Sequence, residues 1–299
     1  MQLRHLKTFA AVAETLNFTR AGERVHLSQS SVTEQIQALE ADLGATLFDR
    51  SRRRLTLTPA GERLLGYAAE LIGLADEACS AVASMSATVS GSLIIGGLET
   101  LCSSWLPEVV STYSRRYPDV KVTLRTADSG GLRSGTRNGD LDVSFFFGDA
   151  ATATGVRSQT VAEEELLIIL PANHRLAGCD AIRPEDLTDE AFLVTQPGCV
   201  YRKMFDEAFA ATLPGRPRCA GEFASIGSIR GLVEAGLGCA LVPRSALAAQ
   251  PARVAVVPWA GTSRTTPVTM MWRHRRVLSP ATDAFLAIAR EHLQGQTRR

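Results

Sequence analysis

Long apolar runs are missing from this chain. No stretch of about 18 consecutive apolar residues occurs, which argues against a membrane-spanning helix. The N-terminus, MQLRHLKTFAAVAE, has neither the apolar core nor the cleavage site of a secretory leader, so a cytoplasmic protein with no membrane partner is expected. The six cysteines, at 79, 102, 179, 199, 219 and 239, form no CxxC or other metal-ligand spacing. Scattered thiols in a chain of 299 residues read as free cysteines in a reducing compartment. An excess of one charge is also lacking: the formal net charge is +1, too small to mark a nucleic-acid binder by itself. The five histidines build no HExxH, and GxSxG, Walker and GxGxxG signatures are absent. The expectation is therefore no enzyme, no catalytic residue, no cofactor and no metal. A transporter's solute-binding protein, the other rival, would need an export signal.

What is present is locally organised. Leu3, Leu6, Phe9, Ala10 and Val12-Ala13 recur at helical spacing. Thr19 is the expected N-cap of a second helix through Val25. Ser28 caps a third, which carries Val32, Ile36, Leu39 and Leu43 on one face and stops at Gly44. Its other face shows Gln29, Ser30, Ser31, Thr33, Glu34 and Gln37. Two short helices joined by a tight turn, the second with a polar face, fit helix-turn-helix geometry. Arg50-Ser51-Arg52-Arg53-Arg54 and the alternating Leu55–Thr58 then read as a basic hairpin, a wing placed to meet phosphates or the minor groove. A charge run is more often a solvated face, but its place directly after the third helix favours the wing.

Thr58 and Pro59 open a long helix whose apolar stripe (Leu64, Leu65, Ala68, Leu71, Ile72, Ala75, Ala78, Val82, Met85) repeats every 3.5–3.6 residues. So narrow a stripe suits a partner helix from a second copy of the chain, favoured over packing on the following domain because the stripe lies between the two domains. After Ser90-Gly91-Ser92 the pattern changes to alternating strands and helices, which argues an α/β domain with a parallel sheet. Its expected elements include strands at Leu93–Gly97, Leu141–Phe147 and Leu166–Leu170, and a helix over Val200–Thr212.

The first sixty-five residues closely resemble the N-terminal domain of LysR-type transcriptional regulators. The resemblance rests on Phe9, Ala21-Gly22, Leu27-Ser28-Gln29-Ser30, Val32, Ile36, Leu39-Glu40, Leu43-Gly44, Leu47-Phe48, Arg50, Leu57-Thr58 and Gly61. The remainder resembles the family's effector domain more loosely, through Gly139–Val143, QPGCVYR at 196–202, Gly236–Gly238 and Val242-Pro243. The resemblance implies a winged helix-turn-helix (1–58), a linker and dimerisation helix (59–89) and an effector-binding domain (90–299). The last is expected to resemble a type 2 periplasmic binding protein, with subdomain I at 90–162 and 266–299 and subdomain II at 163–265. The implied function is sequence-specific regulation of a promoter by a small-molecule effector bound between the subdomains. The implied partners are double-stranded promoter DNA, RNA polymerase and further copies of the chain, as a dimer or tetramer.

The DNA-binding candidates are Thr19, Gln29, Ser30, Ser31, Thr33, Glu34, Arg52, Arg53 and Arg54. Glutamine reads adenine bidentately, and arginine supplies phosphate or minor-groove contacts. Family members often carry a basic residue where Glu34 stands; glutamate accepts from cytosine N4 or simply faces solvent. The effector candidates lie where strands of an open α/β sheet end and helices begin: Thr100, Leu101, Cys102 and Ser103 after the first strand, Ser129 after the second, and Gly198, Cys199 and Val200 across the cleft. Phe147 and Ile226 are candidate apolar walls. Cys102 and Cys199 are each expected near a helix N-terminus, which would lower a thiol pKa.

Overall fold

A computed structural model describes residues 1–50, 54–83, 88–150, 154–209, 217–247, 253–261 and 263–296. The chain divides into two compact units, Met1–Ser86 with Arg276–Ser279, and Ala87–Arg275 with Pro280–Arg299.

The first unit begins with α1 (Leu3–Thr15), α2 (Phe18–Val25) and α3 (Gln29–Leu43). The strands β1 (Phe48–Asp49) and β2 (Thr56–Leu57) pair antiparallel, and α4 (Pro59–Ala83) follows. The helical periods put Leu6, Phe9 and Val12 of α1, Ala21 of α2, and Val32, Ile36 and Leu39 of α3 into one core with Leu47, Phe48 and Ala68. Leu43, expected on the same face of α3, is 41% exposed. The N-cap of α2 is Asn17, not Thr19: the extended Asn17 places its Oδ1 2.9 and 3.0 Å from the amide nitrogens of Thr19 and Arg20, leaving Thr19 inside the first turn. Ser28 caps α3 through the Ser31 amide, and Gly44 ends it with φ +64°. Thr58 caps α4 by accepting from the Gly61 amide at 3.1 Å.

The stripe on α4 is divided. Leu64, Leu65, Ala68 and Ile72 pack on the core of this unit, while Tyr67, Leu71, Leu74 and Val82 are exposed. The head thus covers more of the helix than its narrow stripe suggested. Met85 and the wing arginines Arg52 and Arg53 lie outside the described residues.

The second unit is α/β with a mixed rather than a purely parallel sheet. Its elements are β3 (Gly91–Gly97), α5 (Glu99–Ser104), α6 (Leu106–Arg116), β4 (Val120–Thr126), α7 (Ser129–Asn138), β5 (Val143–Phe147), β6 (Val156–Pro171), β7 (Ala191–Thr195), α8 (Val200–Ala208), β8 (Arg218–Phe223), α9 (Ile226–Glu234), β9 (Ala240–Pro243), β10 (Val254–Pro258), β11 (Thr265–Arg273) and α10 (Pro280–Gln296). β3 lies between β4 and β5, parallel to both, and β11 joins β5 antiparallel. β6 carries the chain from one half of the sheet to the other: its residues 156–165 pair with β11, and residues 166–171 pair with β9 and β10.

Sequence alone suggested only Leu166–Leu170 as strand here. Glu163 and Glu165 are more exposed, but Glu164 points inward and is 3% exposed, so a charged residue occupies a core position and hides the alternation. β8 was not foreseen. α8 spans Val200–Ala208, and the Phe209 ring after it packs 4.9 Å from Phe205 and 5.2 Å from Trp259; the rest of the expected helix, to Thr212, lies outside the described residues.

Candidate functional site

Two regions gather the expected residues. In the head, α3 presents Gln29, Ser30 and Glu34 fully to solvent, with Ser31 and Thr33 half-buried beside them. The serine hydroxyls are locally engaged: Ser28 Oγ lies 2.9 Å from the hydroxyls of both Ser30 and Ser31. Thr33 donates to the Gln29 carbonyl at 2.9 Å and meets the Gln29 amide at 3.4 Å. Glu34 and Gln37 are exposed on the same helix. Thr19 is exposed in α2, and Arg54 is exposed just before β2.

Sequence reasoning passed over the residue that holds the wing to this helix. Glu40 of α3 accepts from the Leu47 amide at 2.7 Å, and its other oxygen meets Arg50 at 3.4 Å. The Arg50 guanidinium also stands 5.2 Å from the Phe18 ring centre of α2. One carboxylate and one arginine thus tie β1 to both helices of the motif. Glu40 and Arg50 both belong to the pattern of resemblance, which was the available signal.

In the second unit the three expected loops differ in what they offer. α5 is a short helix of six residues, in which Thr100 and Leu101 are buried and Ser103 folds back on the Glu99 carbonyl at 2.9 Å. Cys102 lies within α5, not at its cap. Burial, helped by the Glu99 charge, pushes its thiol up to about 11, opposite to the lowering that a helix N-terminus would give. At α7 the Asp128 carboxylate takes the Gly131 amide at 2.7 Å, placing a negative charge at the positive end of that helix. Ser129 Oγ beside it is buried without a hydrogen-bond partner. At the third loop, Gly198 turns the chain with φ +88°, and Cys199 opens α8 without a side-chain cap.

Tyr201 joins these pieces. Its hydroxyl lies 2.8 Å from Thr100 Oγ1, and its ring centre is 6.1 Å from that of Phe147 at 67°. Tyr201 also packs on the core cluster that contains Ile226. Burial drives its phenol pKa well above the ordinary tyrosine range, so it is neutral and able to donate. The structure therefore brings Thr100 and Phe147 to one tyrosine that packs on the cluster of Ile226, on the helix that Cys199 and Val200 open. Periodicity could not reveal this, because Thr100 and Tyr201 are distant in sequence and nothing local marks them as partners.

Among the described residues, no helix is long and apolar enough to cross a membrane. Residues 3–62 match the bacterial regulatory helix-turn-helix proteins of the lysR family, and residues 86–294 match the LysR substrate binding domain. The chain is similar to the HTH-type transcriptional regulator GltR of Bacillus subtilis (strain 168), being 30% identical over 298 residues that cover 98% of each chain. Among solved structures, full-length CbnR complexed with its target DNA is similar at TM-score 0.62 and 25% identity, over 98% of this chain and 100% of that one. Full-length OxyR C199D from Pseudomonas aeruginosa shares the fold at TM-score 0.76 and 23% identity, over 98% of this chain and 95% of that one.

Proposed function

Since the chain belongs to the LysR family of DNA-binding transcriptional regulators and carries that family's substrate-binding domain, we propose that α3 reads the promoter and that an effector acts at Tyr201. Gln29, Ser30 and Glu34 reach base edges in the major groove, with Ser31, Thr33 and Thr19 positioning the helix against the backbone. Arg52, Arg53 and Arg54 hold the flanking phosphates or the minor groove. Two copies of the chain pair through the exposed stripe of α4, so that two heads meet two half-sites. The assembled regulator acts on RNA polymerase at the promoter.

The observation that carries the effector reading is the Thr100–Tyr201 hydrogen bond, which links β3's outgoing helix to α8 across the two halves of the sheet. A polar ligand competes for the Thr100 hydroxyl, the tyrosine and the uncapped amides of α8, with Phe147 and Ile226 as walls and Ser129 Oγ as a further donor. Leu101, Cys102, Ser103, Gly198, Cys199 and Val200 shape the two rims.

The test begins with genome-wide mapping of the sites bound by purified protein, followed by a screen of metabolites handled by the neighbouring genes. Discrete sites are expected, together with a metabolite that raises the melting temperature of the wild type more than that of Tyr201→Phe. Absence of discrete sites overturns the promoter reading. A metabolite that stabilises both proteins equally overturns the role of Tyr201.

A further inference from the structure

Away from the Tyr201 cleft, three side chains far apart in sequence converge at the edge of the second half of the sheet. His174 stands in the turn after β6, Glu190 directly before β7, and Cys239 directly before β9. Their donor atoms all lie within 4.8 Å of one another. His174 Nε2 is 3.0 Å from Glu190 Oε2 and 3.8 Å from Cys239 Sγ. We propose that these three residues form a binding site for a divalent cation of the zinc class, held by one imidazole, one carboxylate and one thiolate, with water as the fourth ligand.

The geometry suits such an ion. Bond lengths of about 2.0–2.3 Å to nitrogen, oxygen and sulfur place tetrahedral ligands roughly 3.3–3.6 Å apart, and the two measured separations bracket that range. The backbones are already fixed. The Cys239 amide donates to the Ala191 carbonyl, and the Cys239 carbonyl accepts from the Leu193 amide, both at 2.8 Å, which locks Cys239 beside the strand that Glu190 precedes. The His174 amide donates to the Pro171 carbonyl at 3.0 Å.

Arg175 orients the carboxylate. Its Nε donates to Glu190 Oε1 at 2.9 Å while another guanidinium nitrogen holds the Asp186 carbonyl at 2.8 Å, leaving Oε2 turned to the other two donors. His174 and Glu190 keep 16% and 17% of their side-chain surface exposed, which gives an ion its way in, whereas Cys239 is buried.

The Arg175–Glu190 ion pair and a hydrogen bond from the imidazole to Glu190 account for three of the side chains but not for the thiol beside them. A buried thiol with no cation bound is protonated. On binding, Sγ loses its proton to solvent and forms the metal–sulfur bond. The imidazole proton moves from Nε2 to Nδ1, giving up the contact from the Leu176 amide, which at 3.3 Å is long for a hydrogen bond. The net change is one proton released, with no change of oxidation state. Sequence spacing pointed to no metal because the three ligands come from three separate segments.

Full-length protein is stripped with a chelator, desalted and titrated with Zn2+ against a chromophoric competitor, then with Co2+ as a spectroscopic probe. A single tightly bound Zn2+ is expected, with a thiolate-to-cobalt charge-transfer band in the near ultraviolet. Cys239→Ala should abolish the band. Glu190→Gln, whose site is partly exposed and should tolerate the change, should weaken Zn2+ binding by roughly 10-fold or more. Cys79→Ser, at an exposed thiol on α4, should leave both unchanged. Absence of Zn2+ binding overturns the proposal, as does binding that survives either Cys239→Ala or Glu190→Gln at full strength.

Discussion

Single residues set tolerances that composition does not display. The α2–α3 turn brings the Leu27 carbonyl so close to Gly22 that an added Cβ would stand 2.6 Å from its oxygen, a clash with rigid backbone. Gly22→Ala is therefore expected to lower the stability of the head by about 1–3 kcal/mol, measured as a lower denaturation midpoint together with loss of DNA binding. Glu164 poses the opposite problem, a carboxylate in a core position. It accepts from the Ser245 amide, yet burial raises its pKa above the ordinary carboxylate value. A folded-state pKa above the unfolded one gives stability that is complete at low pH and is lost as pH rises through the folded pKa. Glu164→Gln should therefore match the wild type in melting temperature in acid and gain on it progressively as pH rises toward neutrality. A constant difference across that window would contradict the assignment.

Elements show where local chemistry was enough and where it was not. The three head helices follow from apolar spacing, with Ser28 and Gly44 marking the two ends of α3 and Thr58 the start of α4. The start of α2 was misread because Asn17 and Thr19 are both competent caps, and only the backbone conformation selects between them. β6 was read too short because a buried glutamate broke its alternation. The wing is legible as a basic run, and its arginines should act on phosphates without regard to sequence. Arg54→Ala is expected to weaken binding to all sites about equally and to flatten the dependence of log affinity on log salt by roughly one unit. Binding isotherms at several salt concentrations on specific and scrambled duplexes check this. A change confined to the specific duplex would mean that Arg54 reads bases.

The whole molecule raises the question of what covers α4. Leu74 is 60% exposed and Val82 71% exposed, and Tyr67 and Leu71 on the same helix are exposed with them, while Leu64, Leu65, Ala68 and Ile72 are packed. If a second copy covers this stripe, Leu74→Glu should shift the protein toward monomer in sedimentation velocity and weaken binding to a two-half-site duplex far more than to a single half-site. An unchanged sedimentation coefficient would exclude α4 as the pairing surface.

The sequence by itself determined the regulator's architecture, because helix-turn-helix spacing, caps and the basic wing are short-range features written in consecutive residues. It also marked the order of most strands and helices in the effector domain and the loops at their ends. Only the tertiary structure decided which of those loop residues meet. Thr100 reaches Tyr201, Glu164 turns inward to Ser245, and Cys239 arrives beside His174 and Glu190. Each of these depends on strand register and crossover between distant segments, and a side chain's partner across such a distance leaves no periodic trace in the chain.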